Sequence, residues 1–256
     1  MRKITALASL MLLIGVVANA SITTTGRGFW MNATPSTNKF FGAEVGDFFV
    51  VLTAPNKKAT AASFTSTLGS GSTAGLQLVS SLESSDSVNY TTWGWVYSVT
   101  NRGIIESVIS ASAANSTSGG RFLLHSDNGT LALGDTSVLT MDGGSGPEYW
   151  TNNYSWVAAD DAVVMETIAG NAEGLDWDKT TIVRANAGTN QVVQYKDGLG
   201  SLSAYENDLY TDASANWRDA STLGVVITET VPEPATLGMI GLVGGFLLFI
   251  RRRFMI

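Results

Sequence analysis

The chain has 256 residues, of which 45% are hydrophobic and only 14% charged, with no cysteine, one histidine and a formal net charge of −7. The missing cysteines exclude disulfide scaffolds, thiolate nucleophiles and zinc-ribbon or iron–sulfur sites, and one histidine is too few for a multi-histidine metal centre. The acidic balance argues against a nucleic-acid partner, which calls for a basic patch.

The first element is an export signal. Arg2 and Lys3 precede an apolar stretch from Ile4 through Val17, and Ala18-Asn19-Ala20 follows as a small-x-small triplet before Ser21. Positive, apolar and small-residue regions in that order predict a signal peptide over residues 1–20, with cleavage between Ala20 and Ser21. The partners implied are signal peptidase and a Sec-type export machinery.

Residues 21–230 read as one β-rich ectodomain. It holds 10 basic residues against 21 acidic ones, a net of −11, more acidic than the whole-chain figure. Phe48-Phe49-Val50-Val51-Leu52 is apolar at every position, which suits a central strand covered on both faces. Trp93, Trp95, Tyr97 and Val99 alternate with smaller residues, so their side chains share one face of a strand, most economically a buried one. Further short runs are Gly75–Ser80, Gly103–Ser110, Arg121–His125, Ser137–Met141, Tyr154–Val157, Asp161–Ile168, Thr180–Arg184, Gln191–Lys196 and Leu223–Thr228. Asn101-Arg102-Gly103, Asp127-Asn128-Gly129, Asp142-Gly143-Gly144 and Lys196-Asp197-Gly198 carry hairpin-turn chemistry, since Asn, Asp and Gly tolerate positive φ. The Ser/Gly/Ala stretches Ser66–Gly75 and Ser110–Gly120 read as long loops. Only Asp160–Ile168 and Asp212–Ala220 have a pattern open to short helices. The expectation is an all-β fold, a β-sandwich of jelly-roll-like type.

Three features of this body bear on chemistry. His125, the sole histidine, ends a strand run, and no Gly-x-Ser-x-Gly elbow accompanies it, so no catalytic residue is expected. Glu173, Asp176 and Asp178 form an acidic loop that is either a Ca²⁺ site or a solvated turn; beyond that Ca²⁺, no cofactor is implied. All seven tryptophans lie in the body, and Trp150 and Trp177, in Gly/Asp-rich segments, are the candidates for stacking on exopolysaccharide sugars. A carboxylate pair suited to glycoside cleavage cannot be selected from so many acids.

The last element is a membrane segment. Val231-Pro232-Glu233-Pro234 leads into an uncharged stretch over 235–250, then Arg251, Arg252 and Arg253. Its sixteen residues, at about 1.5 Å each, reach roughly 24 Å, a marginal single transmembrane helix for a ~30 Å hydrocarbon core. The three arginines stop transfer and put the C-terminus in the cytoplasm, which leaves the ectodomain outside.

Pro232-Glu233-Pro234, one hydrophobic helix and a basic cluster, in that order over 231–256, resemble the PEP-CTERM sorting tail of Gram-negative bacteria. The resemblance implies an exosortase as partner, a membrane-embedded transpeptidase-like enzyme that cleaves near the motif and passes the ectodomain to the cell surface or exterior. It also implies an association with exopolysaccharide and biofilm matrix. The expected function is therefore that of an exported, non-catalytic structural or adhesive protein, first anchored in the inner membrane. A carbohydrate-binding module and a polysaccharide-active enzyme are the alternatives.

Overall fold

The computed structural model describes residues 21–33, 35–55, 64–85, 91–111, 117–127, 129–141, 149–156, 161–170, 182–185, 191–199, 204–210 and 220–230. Among them are fifteen strands and no helix. The first half holds β1 (Ile22–Ala33), β2 (Ser36–Ala43), β3 (Phe48–Pro55), β4 (Phe64–Leu68), β5 (Gly75–Ser85), β6 (Thr91–Asn101), β7 (Gly103–Ala111) and β8 (Thr117–Ser126). The second holds β9 (Thr130–Met141), β10 (Tyr149–Ser155), β11 (Asp161–Gly170), β12 (Ile182–Ala185), β13 (Gln191–Lys196), β14 (Ala204–Tyr210) and β15 (Ala220–Thr230).

Every strand pairing is antiparallel. Sheet I runs β1-β8-β3-β6-β5, sheet II β2-β7-β4, sheet III β12-β13-β11-β15-β9 and sheet IV β10-β14. The all-β expectation holds. A jelly-roll-like sandwich has one inter-sheet core, whereas apolar clusters here fill three sheet contacts. Phe48, Val50 and Leu52 of β3 meet Met165, Val193, Leu223 and Val225 between sheets I and III. Phe49 and Val51, on the other face of the same strand, meet Phe40, Ile105 and Ile109 between sheets I and II. Tyr154 and Trp156 cover Ala162, Val164 and Val226 between sheets IV and III. The continuous apolar run of β3 thus has the predicted cause, burial on both faces. Trp93 and Val99 of β6 are buried but Trp95 and Tyr97 only half-buried, while Thr92 and Val96 on the opposite face are fully buried, so β6 is covered on both faces rather than on the aromatic face alone.

Several expectations need correction. Asp161–Gly170 is a strand, not a helix, because Val163 and Met165 pack toward sheet I while Ala162 and Val164 pack toward sheet IV. Such double-sided burial erases both the helical and the alternating pattern. The other helix candidate lies outside the described residues up to Ala220, which opens β15. The run expected at Tyr154–Val157 begins earlier, at Tyr149. Residues 66–68 of β4 and 117–120 of β8 are strand where long loops were expected. Gly119 pairs with Trp30 of β1 and Thr53 of β3, and it is glycine because the Trp30 indole and the Leu52 carbonyl lie where its Cβ would stand. The small residue marks a close approach rather than a loop.

None of the four turn signals joins two strands that pair with each other. Arg102 links β6 of sheet I to β7 of sheet II, and Asp127–Gly129 links β8 of sheet I to β9 of sheet III. These corners stack the layers and bring strand ends to one pole.

Candidate functional site

Both ends of the folded body lie at that pole. Ile22 opens β1 opposite Ser126, the last residue of β8. Asp161 opens β11 opposite Glu229, and Thr230 closes β15 opposite Thr130. The Ile22 amide donates to Asp161 Oδ2 at 2.7 Å, while the Asp161 Oδ1 accepts from the Ala162 amide at 2.8 Å. One buried carboxylate therefore ties the first strand to the neighbour of the last. The Ser126 hydroxyl donates to Glu229 Oε1 and accepts from the Gly129 amide at 2.8 Å, which fixes the β8–β9 corner to the end of β15. Glu229 is fully buried, so this bond satisfies an otherwise costly carboxylate oxygen.

His125 sits beside this knot. Its Nδ1 lies 2.5 Å from Asp47 Oδ1 and its Nε2 lies 3.1 Å from Asp127 Oδ1. Asp47 is buried and Asp127 is 73% exposed. The hydrogen bond to Asp47 raises the His125 pKa above 6.5, partial burial opposes the rise, and Asp127 adds to it. Two carboxylate partners favour the imidazolium, which donates from both nitrogens. As expected, His125 ends a strand. In this arrangement both ring nitrogens face carboxylates, and neither faces a hydroxyl that a triad base would deprotonate.

The sign of the pH effect follows. A histidine whose folded pKa is raised contributes stability that is complete below the unfolded value near 6.5 and is lost as pH rises through the folded value. Urea midpoints at about pH 6 and about pH 9 should show the protein losing up to about 1 kcal/mol relative to His125→Gln. Equal differences at both pH values would refute the linkage.

The other predicted site residues fall as follows. Ser21 is exposed at the start of the described chain; Ala18 and Ala20 lie outside it. Pro232, Glu233, Pro234 and Arg251–Arg253, with the membrane segment 235–250, also lie outside the described residues, as do Glu173, Asp176, Asp178 and Trp177. Trp150 is on β10, opposite Leu209, in a strand rather than the loop expected. Trp30, Trp93 and Trp156 are buried and therefore withdrawn from sugar stacking. Among the described residues no group of three or more His, Asp or Glu side chains is placed to hold a metal ion, and no helix is long and apolar enough to cross a membrane.

Sequence reasoning missed Asp47, Asp161 and Glu229. The one legible signal was position, an acid at the first or last residues of an apolar run; the partners that tie the pole together, His125, Ile22 and Ser126, are each more than seventy residues distant in the chain.

No curated protein and no solved structure matches this chain. Residues 230–253 match the PEP-CTERM protein-sorting motif, so the segment that begins at the last residue of β15 marks an exported, exosortase-sorted protein.

Proposed function

We propose that the chain is a non-catalytic structural or adhesive component of the cell surface or extracellular matrix, held in the inner membrane by residues 235–250 until an exosortase releases it. The observation that carries this reading is the sorting motif joined to the final strand without a spacer. Pro232 and Pro234 lack amide donors and disfavour helix, a sequence property that suits a segment a protease must reach. The ectodomain is a stack of β-layers of sandwich type that needs no disulfide. Met141, Gly170 and Tyr210 end their strands at the pole opposite the tail, which faces outward when the body is anchored. That is the side from which polysaccharide or a neighbouring molecule is reached.

Fractionation of cells carrying the protein with an epitope inserted after Ser21 tests the reading. With an active exosortase, shortened protein should appear outside the inner membrane. Replacing Pro232 and Pro234 by alanine should leave mainly full-length protein in the inner membrane. Full-length protein persisting there despite an active exosortase would count against sorting.

A further inference from the structure

Phe41 and Val45 are the most exposed large hydrophobic residues among those described, at 70% and 67%. Phe41 stands near the end of β2 and Val45 in the β2–β3 turn, at the pole where the chain enters and leaves its fold. The turn is firmly built. The Asp47 amide donates to the Glu44 carbonyl at 3.2 Å, Asp47 Oδ2 accepts from the Glu44 amide at 2.8 Å, and the Gly46 amide donates to the Val99 carbonyl at 3.0 Å. Asp47 bonds His125 and Glu229 bonds Ser126, consecutive residues at the end of β8. The apolar turn and the exit of the tail therefore flank the same strand end.

Chain length limits how far this pole stands from a bilayer. Five residue steps lead from Thr230 to Ala235, where the uncharged segment begins, and even fully extended they reach at most about 17 Å. An anchored precursor thus keeps this pole, with Glu44, Arg102, Asp127 and the two side chains Phe41 and Val45, within reach of the lipid headgroups.

We propose that Phe41 and Val45 insert at the boundary between headgroups and acyl chains and seat the precursor upright on the membrane, an inference that rests on the anchored reading above. The aromatic and branched side chains supply apolar area at the depth where interfacial anchors gather. The charges exposed at this pole, Glu44, Asp127 and Arg102, are mixed in sign, which suits a zwitterionic aminophospholipid rather than a strongly anionic surface. Seating orients the body, holds Pro232–Pro234 at the membrane level where an exosortase works, and turns the opposite pole outward.

The absence of native cysteines makes the test direct. Full-length Phe41→Cys, Val45→Cys and, as a control, Val138→Cys would each carry one environment-sensitive fluorophore. Val138 is exposed on β9, away from this pole. Each protein is reconstituted into phosphatidylethanolamine–phosphatidylcholine vesicles with a headgroup-level nitroxide quencher and checked by flotation. Emission from positions 41 and 45 should shift to the blue and fall about twofold, as for groups buried ~5–10 Å deep, while position 138 stays unchanged. Protein that floats with all three labels alike overturns the docking proposal alone. Disulfide crosslinking between copies of the unlabelled Phe41→Cys protein overturns it in favour of a self-interface. Protein that fails to float overturns the anchored reading and this inference with it.

Discussion

Arg121→Ala should destabilise the fold by about 3–5 kcal/mol, seen as a lowered urea midpoint of tryptophan fluorescence. Arg121 is fully buried on β8, between sheets I and II. Its Nε donates to Ser107 Oγ at 2.9 Å, one terminal nitrogen donates to Ser36 Oγ at 3.1 Å, and the other to the Ser36 carbonyl at 2.8 Å. The guanidinium lies over the Trp30 ring, 4.2 Å from its centroid. Burial lowers its pKa to about 10, which still leaves it charged at neutral pH. Among the described residues no carboxylate forms an ion pair with it. The charge is stabilised by neutral oxygens and an aromatic face instead.

Alanine removes three bonds and the support under Trp30 and leaves a cavity between the sheets. Arg121→Met fills most of that volume and carries no charge to desolvate, so its cost should fall to about 1–2 kcal/mol. Arg121→Lys keeps the charge but loses the planar fork and the stacking, and should lie between the two. If lysine were as stable as the native protein, the three-bond account of Arg121 would be wrong.

Gly224→Val should be of similar or larger effect, about 4 kcal/mol, and is expected to loosen sheet IV from sheet III. The hydroxyl and ring of Tyr154 occupy the place where a Cβ at position 224 would stand. Tyr154 is buried and donates from its hydroxyl to Glu166 Oε1 at 2.9 Å. Burial first, then the Glu166 charge, raises its pKa well above 10, so the phenol remains a donor. Gly224 lies opposite Glu166 on the neighbouring strand, which places glycine, tyrosine and carboxylate in one register. A side chain at 224 expels Tyr154, takes this donor from Glu166 and opens the third core. The decisive comparison is a double-mutant cycle: in a Tyr154→Ala background, Gly224→Ala should cost far less than it does alone. Additive losses would show that Tyr154 is not what the glycine accommodates.

The two sites were unequally visible beforehand. The run Thr117-Ser118-Gly119-Gly120-Arg121 looked like loop leading into a strand, since consecutive small residues usually mark turns. Its glycines are small because Trp30, the cross-strand partner of Gly119, and Val193 of sheet III, against Gly120, lie where side chains would stand; the first contact depends on which strands pair and the second on the layering of sheets. Gly224 sat inside a recognised strand run, yet nothing in Leu223–Thr228 pointed to a tyrosine some seventy residues earlier. The strands that escaped notice, β1, β2, β4 and β14, lie at sheet edges or in the two-stranded sheet. Edge strands need bury little, so Thr, Ser, Asn and Gly are tolerated and the alternation fades. At the polar pole, His125 was legible as a strand-end residue. Its place between Asp47 and Asp127 was legible only in half, because Asp127 is its near neighbour and Asp47 is not.

Sequence by itself determined the features that are local. The order of positive, apolar and small residues, the Pro-Glu-Pro step and the closing arginines are read along the chain, and the C-terminal set is borne out by the motif match. The β character of the body and most of its turns are local as well, because they reflect side-chain branching and backbone freedom at single positions. Tertiary structure alone decided which strand lies beside which. Among the described strands only β5–β6 and β12–β13 pair as chain neighbours, although turn chemistry stands at many other places. A turn fixes a change of direction, whereas the next strand's sheet is chosen by where its two faces find apolar partners. That choice, made by burial across three cores, set Arg121 on Trp30, Tyr154 over Gly224, and both ends of the folded body at one pole.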